Sequence, residues 1–350
     1  MARRDNQRCG KLQLFDDVTP GTAVYLPITS QPRELNSKLL LALFAKEKGL
    51  HPVLGYKSAF NEHIGLMPPG VVLVHNARQA PYRLKEYKDY GHNVLVQDEE
   101  ALIRQSDEIF LKKHALAAFD NVDGVLTWGQ DDLEMWRGFG ALKPEYLHAT
   151  GNPRGDLLRP ELRSIYDAEV DQIRSSYGDF ILINTNFPTV SNQTAKGGGV
   201  RLAKSATDDK GREASEAFLA NKFKLFEAFK AMVPKFAAAV APHQIVLRPH
   251  PNEDHKVWSE LAKGIPNLKV VFEGAVVPWL LAAKVLVQNN CTTAVEAAML
   301  DVDVVNFAPW RSEFLAYRPL KHRRFARLRN ARFCLTDERP VSGVDSGWFR

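Results

Sequence analysis

The chain is predicted to fold as two Rossmann-like, doubly wound α/β domains facing a cleft. Three observations point there. Strand-like apolar runs alternate with helix-like segments along most of the sequence. A turn cluster, Gly151-Asn152-Pro153-Arg154-Gly155, divides that alternation into two similar halves. At 350 residues the chain is long for one hydrophobic core and comfortable for two.

The first half opens with a buried strand at 22–28. A helix at 34–48 follows, with Leu35, Leu39, Ala42 and Leu43 on one stripe and Gly49 as its stop. Strands at 51–56, 70–75 and 93–97 come next, with helices near 58–66 and 81–90 between them. A strand at 124–128, a helix over 131–139 with Asp131 as N-cap, and a strand at 146–150 complete this half. Residues 161–176 read as a linking helix. The second half places strands at 180–185, 244–248, 268–272, 285–288 and 302–307, with helices at 222–240, 256–263, 279–283 and 293–300. The expected domains are therefore 1–155 and 179–320, joined by a linker at 156–178 and followed by a basic tail at 321–350. The polar stretch 191–212 contains Gly197-Gly198-Gly199 and has no hydrophobic period. It reads either as a substrate lid or as a surface insertion.

Composition bounds the class. Hydrophobic residues make up 45% and charged residues 25%, as in ordinary soluble domains, and the net charge of +5 suits an anionic partner. Three well-separated cysteines, Cys9, Cys291 and Cys334, argue against a disulfide framework or zinc knuckle and for a reducing cytoplasm. The polar N-terminus is not a secretory signal, and no run approaches the ~20 apolar residues of a spanning helix. Any membrane contact is expected to be peripheral. The sequence lacks Gly-x-Gly-x-x-Gly, a phosphate loop, His-Glu-x-x-His and Gly-x-Ser-x-Gly, which argues against dehydrogenases, phosphate-loop kinases, zinc proteases and serine hydrolases. No metal cluster is visible, so a metal-independent site is expected.

The densest signal is Asn289-Asn290-Cys291-Thr292-Thr293-Ala294-Val295-Glu296, where a strand stops and a helix starts. Unpartnered N–H groups and the helix dipole favour an anion there. Asn290, Thr292 and Thr293 are candidates to hold a phosphate. Thr293 and Glu296 also have capping-box spacing, while a Glu one turn into such a helix can reach ribose hydroxyls. Cys291 reads as a packing residue. Arg248-Pro249-His250-Pro251 ends another strand: Arg248 can clamp an anion, and His250, held by the prolines, can donate to a phosphate oxygen or act as an acid. Asn184 ends the strand at 180–185 and either faces the cleft or serves the turn. Glu273-Gly274 lines the same rim or forms a turn. In the first half Asp98, Glu99 and Glu100 follow a strand. They can supply a general base or a nucleophile, or favour the start of the next helix. The stretch Lys321–Arg332 interleaves Lys and Arg with Phe325 and Leu328. As a helix it would lie on an anionic bilayer or pack on the domain below.

The ordered set Arg33-Glu34-Leu35, Asp98-Glu99-Glu100, Gly151-Asn152-Pro153-Arg154, Ile181-Leu182-Ile183-Asn184-Thr185-Asn186-Phe187, Arg248-Pro249-His250-Pro251-Asn252-Glu253 and Asn290-Cys291-Thr292-Thr293-Ala294-Val295-Glu296-Ala297 resembles bacterial surface carbohydrate (polysaccharide) biosynthesis proteins. The match runs from about Val24 to Pro309. The resemblance implies a GT-B glycosyltransferase-like fold, with capsule Kdo transferases, CDP-glycerol glycerophosphotransferases and non-hydrolysing UDP-GlcNAc 2-epimerases as wider relatives. It implies a nucleotide-sugar on the C-terminal domain at Arg248, His250, Thr292, Thr293 and Glu296. It implies an acceptor, a glycan or lipid-linked glycan, near Asp98, Glu99 and Glu100. Two departures stand out: Gln288 occupies a position where a His is expected, and the chain past Pro309 becomes basic. The expected activity is sugar transfer to a surface glycan, with His250, Asp98 and Glu99 as catalytic groups, no separate cofactor and no nucleic-acid partner. A nucleotide-sugar epimerase or polyol-phosphate transferase is the alternative within the fold, and a basic lipid- or nucleic-acid-binding protein the alternative outside it.

Overall fold

Short runs of Val, Ile and Leu flanked by Gly, Asn or Pro can bury both faces only in a parallel sheet covered by helices. The computed structural model shows that arrangement twice. It describes residues 22–78, 81–101, 107–111, 114–191, 209–289, 291–310 and 332–333. The described residues group into two compact units. One comprises residues 22–101 and Leu111–Pro153; the other comprises 107–110 and the described residues from Arg154 on.

The first unit holds strands β1 (Ala23–Ile28), β2 (His51–Tyr56), β3 (Gly70–Val74), β4 (Asn93–Val96), β5 (Gly124–Thr127) and β6 (Leu147–Ala149). All pairs are parallel, in the order β2-β1-β3-β4-β5-β6. Its helices are α1 (Gln31–Glu47), α2 (Lys57–His63), α3 (Pro81–Asp89) and α5 (Gln130–Phe139); α4 (Asp107–Leu111) falls largely in the second unit. The second unit holds β7 (Phe180–Asn184), β8 (Gln244–Arg248), β9 (Leu268–Val270), β10 (Val285–Gln288), β11 (Asp303–Phe307) and β12 (Arg332–Phe333). Their order is β12-β11-β10-β7-β8-β9, again all parallel. Around them lie α6 (Pro153–Asp156), α7 (Asp167–Tyr177), α8 (Pro188–Ser191), α9 (Asp209–Val240), α10 (His255–Ala262), α11 (Val276–Ala282) and α12 (Thr293–Met299). Apolar clusters cover both faces of the second sheet. Phe187, Phe229, Trp258 and Leu247 lie in one, and Phe180, Leu182, Trp279 and Leu286 in the other.

Several expectations need correction. Of the expected α1 stripe Leu35, Leu39, Ala42 and Leu43, only Ala42 is buried: Leu39 and Leu43 are exposed, and Glu34, Ser37, Lys38 and Ala45 are buried instead. The inward face instead meets charged partners at its start, where Lys38 lies 3.7 Å from Glu99, and the apolar cluster of Val24, Leu26 and Leu73 further on through Ala42 and Ala45. Gly129, not Asp131, is the N-cap of α5, and the carboxylate of Asp132 accepts the Trp128 N–H instead. The linking helix begins only at Asp167, after a 3₁₀ turn at Arg163–Tyr166. The chain is helical from Asp209, so the presumed loop 191–212 ends earlier than expected; its residues 192–208 lie outside the described set. Arg332 and Phe333 form a strand beside β11 rather than the end of a basic helix, while 311–331 and 334–350 lie outside the described residues. No helix among the described residues is long and apolar enough to cross a membrane.

Candidate functional site

In the second sheet the strand order reverses between β7 and β10, and the crevice outside the carboxyl ends at such a reversal is where open α/β sheets hold ligands. Register sets Asn184 level with Arg248 of β8 and with Gln288 of β10, and Gln288 level with Asn306 of β11. Three polar residues thus end three strands in one row, and Asn306 is level with them one residue before the end of β11.

The loop after β7 is pinned to the turn after β8 by one carboxylate. Glu253 accepts from Thr185 Oγ1 at 2.8 Å, from the Phe187 N–H at 2.6 Å and from Trp258 Nε1 at 2.7 Å. Burial pushes the Glu253 carboxyl upward, and those donors pull it part of the way back. Thr185 Oγ1 also accepts from the His250 N–H at 3.3 Å. The Asn252 N–H donates to His250 Nδ1 at 3.1 Å, so the neutral ring carries its proton on Nε2.

Arg248 is buried and turned to the rim. Its Nη1 donates to Glu273 O at 2.6 Å and its Nη2 to Gly274 O at 3.2 Å, with the guanidinium 4.6 Å from the centre of the Trp279 ring. Burial lowers its pKa to about 10. Two N–H groups of its fork thus hold the loop at Glu273–Gly274.

The turn after β10 is organised by the residue that departs from the expected His. Gln288 Oε1 accepts the Cys291 N–H at 2.7 Å, and Gln288 Nε2 donates to Asn306 Oδ1 at 3.0 Å. Cys291 is buried, which raises its thiol pKa, and the Thr293 hydroxyl lies beside it. Thr292 is the N-cap of the seven-residue α12, in helical backbone conformation and without a side-chain cap. The capping box does not form. Glu296 Oε1 accepts instead from Arg154 Nη2 at 2.7 Å and Nε at 3.2 Å. Asn290 lies outside the described residues. Around this reversal the buried polar atoms with no hydrogen-bond partner among the described residues are Asn184 Oδ1, both Oδ1 and Nδ2 of Asn289, Thr293 Oγ1 and Glu296 Oε2.

Sequence reasoning gave no role to Lys222, which reads as one more charge on a long helix. Its ammonium is buried and donates to Asn186 O at 3.3 Å. Burial lowers its pKa, and Cys291 and Glu253 act in the opposite direction. Arg154 and Glu253 also had no assigned role, although both belong to the motifs quoted above.

In the first sheet the order reverses between β1 and β3. Glu34, at the start of α1, accepts the Thr29 N–H and Arg33 Nη2, each at 2.9 Å. Burial raises its pKa, but those two partners outweigh it and leave the carboxyl below its ordinary value. His75 follows β3. Burial, and then the charge of Lys57, lower its pKa to about 4, so its ring is neutral at pH 7. The acids after β4 are each engaged. Asp98 accepts from Arg78 Nη2 at 3.1 Å, His114 Nε2 at 3.3 Å and the Glu100 N–H at 2.8 Å. Glu99 Oε1 lies 3.7 Å from Lys38 Nζ, with both side chains buried, and Glu100 meets Arg33 at 2.7 Å. His75, one strand nearer the reversal, was read only as the end of a strand.

No family model and no curated protein matches the chain. Solved structures do. The UDP-GlcNAc 2-epimerase of Neisseria meningitidis bound to UDP-GlcNAc is similar at TM-score 0.53 and 11% identity, over 81% of this chain and 82% of that one. The S. aureus MnaA–UDP co-structure is similar at TM-score 0.52 and 13% identity, over 83% and 80%. The epimerase of Methanocaldococcus jannaschii in complex with UDP-GlcNAc and UDP is similar at TM-score 0.51 and 11% identity, over 82% and 83%. With the two parallel sheets, these likenesses define the fold as GT-B-like: two Rossmann-like α/β domains.

Proposed function

We propose that this protein is an enzyme that transfers a sugar, or a sugar-like acid, from a nucleotide-sugar donor to a bacterial surface polysaccharide or its precursor. The observation that carries this reading is the set of buried, unpartnered polar atoms on Asn184, Asn289 and Glu296 around the reversal of the second sheet. Left unmet, each such atom costs roughly 1–3 kcal/mol, so a native site that keeps several together is built for a polar ligand. Amide and carboxylate groups in one crevice suit a molecule carrying both phosphate and hydroxyls. Glu296 Oε2 accepts a ribose hydroxyl. The Asn289 amide, the His250 Nε2–H, Thr292 and Thr293 meet the phosphates. Arg248 shapes the rim through Glu273 and Gly274. The first domain takes the acceptor, with His75 as the imidazole nearest the reversal and Asp98 and Glu99 as the carboxylates behind it. The same fold in structures holding UDP-GlcNAc or UDP supports a sugar nucleotide as ligand. The working location under this reading is the cytoplasm, with membrane contact peripheral and through the basic tail.

Thermal stabilisation by a panel of CMP-, CDP- and UDP-sugars tests the reading. At least one is expected to raise the melting temperature, and His250→Ala or Asn289→Ala to abolish that shift. No shift with any member would sink it. A second reading, nucleotide-sugar epimerase, is favoured by the three solved structures named above. An epimerase converts the stabilising sugar nucleotide alone, whereas a transferase releases the nucleotide in quantity only when acceptor is present.

A further inference from the structure

We infer that Glu253 and Thr185 are positioning residues, which act on the ligand through His250 by fixing the turn that holds the imidazole with its proton on Nε2. This deepens the nucleotide-sugar reading and rests on it. The turn His250-Pro251-Asn252-Glu253 is closed by the Glu253 N–H, which donates to His250 O at 2.9 Å. His255 Nε2 lies 3.2 Å from the same oxygen. Within the turn the Asn252 N–H reaches His250 Nδ1 at 3.1 Å, and a ring nitrogen that accepts there cannot carry the proton itself. The ring form therefore depends on where the turn holds Asn252. Pro251 and Asn252 are exposed, so they do not anchor the turn by burial. The anchor is the buried Glu253 carboxylate. Thr185 Oγ1 lies 2.8 Å from each of its oxygens, the Phe187 N–H donates to Oε1 at 2.6 Å, and Trp258 Nε1 on α10 donates to Oε2 at 2.7 Å. The Thr185 hydroxyl gives its one proton to that carboxylate, so it meets the His250 N–H, at 3.3 Å, as an acceptor. Burial raises the Glu253 pKa, and the His250 N–H is among the donors that oppose the rise. Both sides of His250 are thus tied: its N–H to Thr185, its carbonyl to the N–H of Glu253. Only a carboxylate suits this pocket. A carboxamide would turn its NH2 toward the Phe187 or the Trp258 N–H and push one of them away.

The test is nitrogen NMR of the full chain, for the wild type, Thr185→Val, Thr185→Ser and Glu253→Gln, with calorimetric titration by CMP, CDP and UDP. In the wild type a coupling across the hydrogen bond should join the Asn252 amide nitrogen to His250 Nδ1. Thr185→Val, which removes one hydroxyl and keeps the shape, should weaken or abolish that coupling in a folded chain. Glu253→Gln should do the same, and Thr185→Ser should restore it. A merely structural role lowers the melting temperature and leaves the coupling of the folded chain intact. Any of the three nucleotides that binds the wild type should bind Thr185→Val roughly threefold to thirtyfold more weakly. Beside His250→Gln the same change should cost little further affinity, because the effect passes through the imidazole. No coupling in the wild type, an unchanged coupling in Thr185→Val or Glu253→Gln, or a loss of affinity that persists in full beside His250→Gln overturns the inference. Coupling lost in the variants, with no nucleotide bound by the wild type, keeps the positioning of His250 and removes the nucleotide-sugar reading.

Discussion

His75 carries its own pH signature. Its folded pKa of about 4 lies below the ordinary imidazole value of 6.5, so the unfolded chain takes up the proton first on acidification. Its contribution to stability is complete above pH 6.5 and is lost as the pH falls toward 4. A shift of that size corresponds to roughly 3 kcal/mol at most. Burial first, then Lys57 and Arg33, push the pKa down, and Glu34 and Asp98 oppose them. His75→Gln should therefore flatten the fall of melting temperature between pH 6.5 and 4, measured beside wild type in the same buffers. An unchanged slope would show that the ring is solvated and ordinary. At this scale the sequence was a partial guide. Thr293 and Glu296 have the spacing of a local capping box, yet the carboxylate is taken by Arg154, 142 positions away. Local spacing is blind to a partner that only the folded chain brings near. Lys222 was hidden for the same reason, because a lysine on a long helix looks solvated until tertiary packing closes over it.

Elements were more legible than sites. The strands expected at 244–248 and 285–288 match β8 and β10 residue for residue. Each is an apolar run that ends in a polar residue before a turn, and only an extended, doubly covered strand satisfies that pattern. Helix α1 was placed well and rotated wrongly. The expected stripe of Leu35, Leu39, Ala42 and Leu43 got Ala42 right, but the face turned inward also carries Ser37, Lys38 and Ala45 in place of the leucines. Small residues permit close approach there, and Lys38 answers Glu99 beneath it. The expectation follows directly. Leu43→Gln should change the free energy of urea unfolding by no more than about 0.5 kcal/mol. Ala42→Leu, which overfills the buried face, should cost roughly 1–3 kcal/mol. The reverse ranking would return the leucine stripe to the core.

For the whole molecule, sequence alternation was enough to locate two α/β domains, each built on a parallel sheet. The last strand was not legible. Arg332 and Phe333 sit in a basic stretch with no strand pattern, and only their pairing with Asn306 and Phe307 gives them a place. Chains ending after residue 331 should therefore melt lower in the second domain and associate more readily, since β11 becomes an open edge. Calorimetry with light scattering checks both, and unaltered behaviour would make β12 dispensable. That pairing has a consequence for biosynthesis. The first sheet has all its strands once residue 149 has left the ribosome, whereas the second keeps one flank uncovered until residues 332 and 333 emerge. Translation thus sets an order of maturation, and a nascent chain stalled in its final stretch would present that bare flank to chaperones.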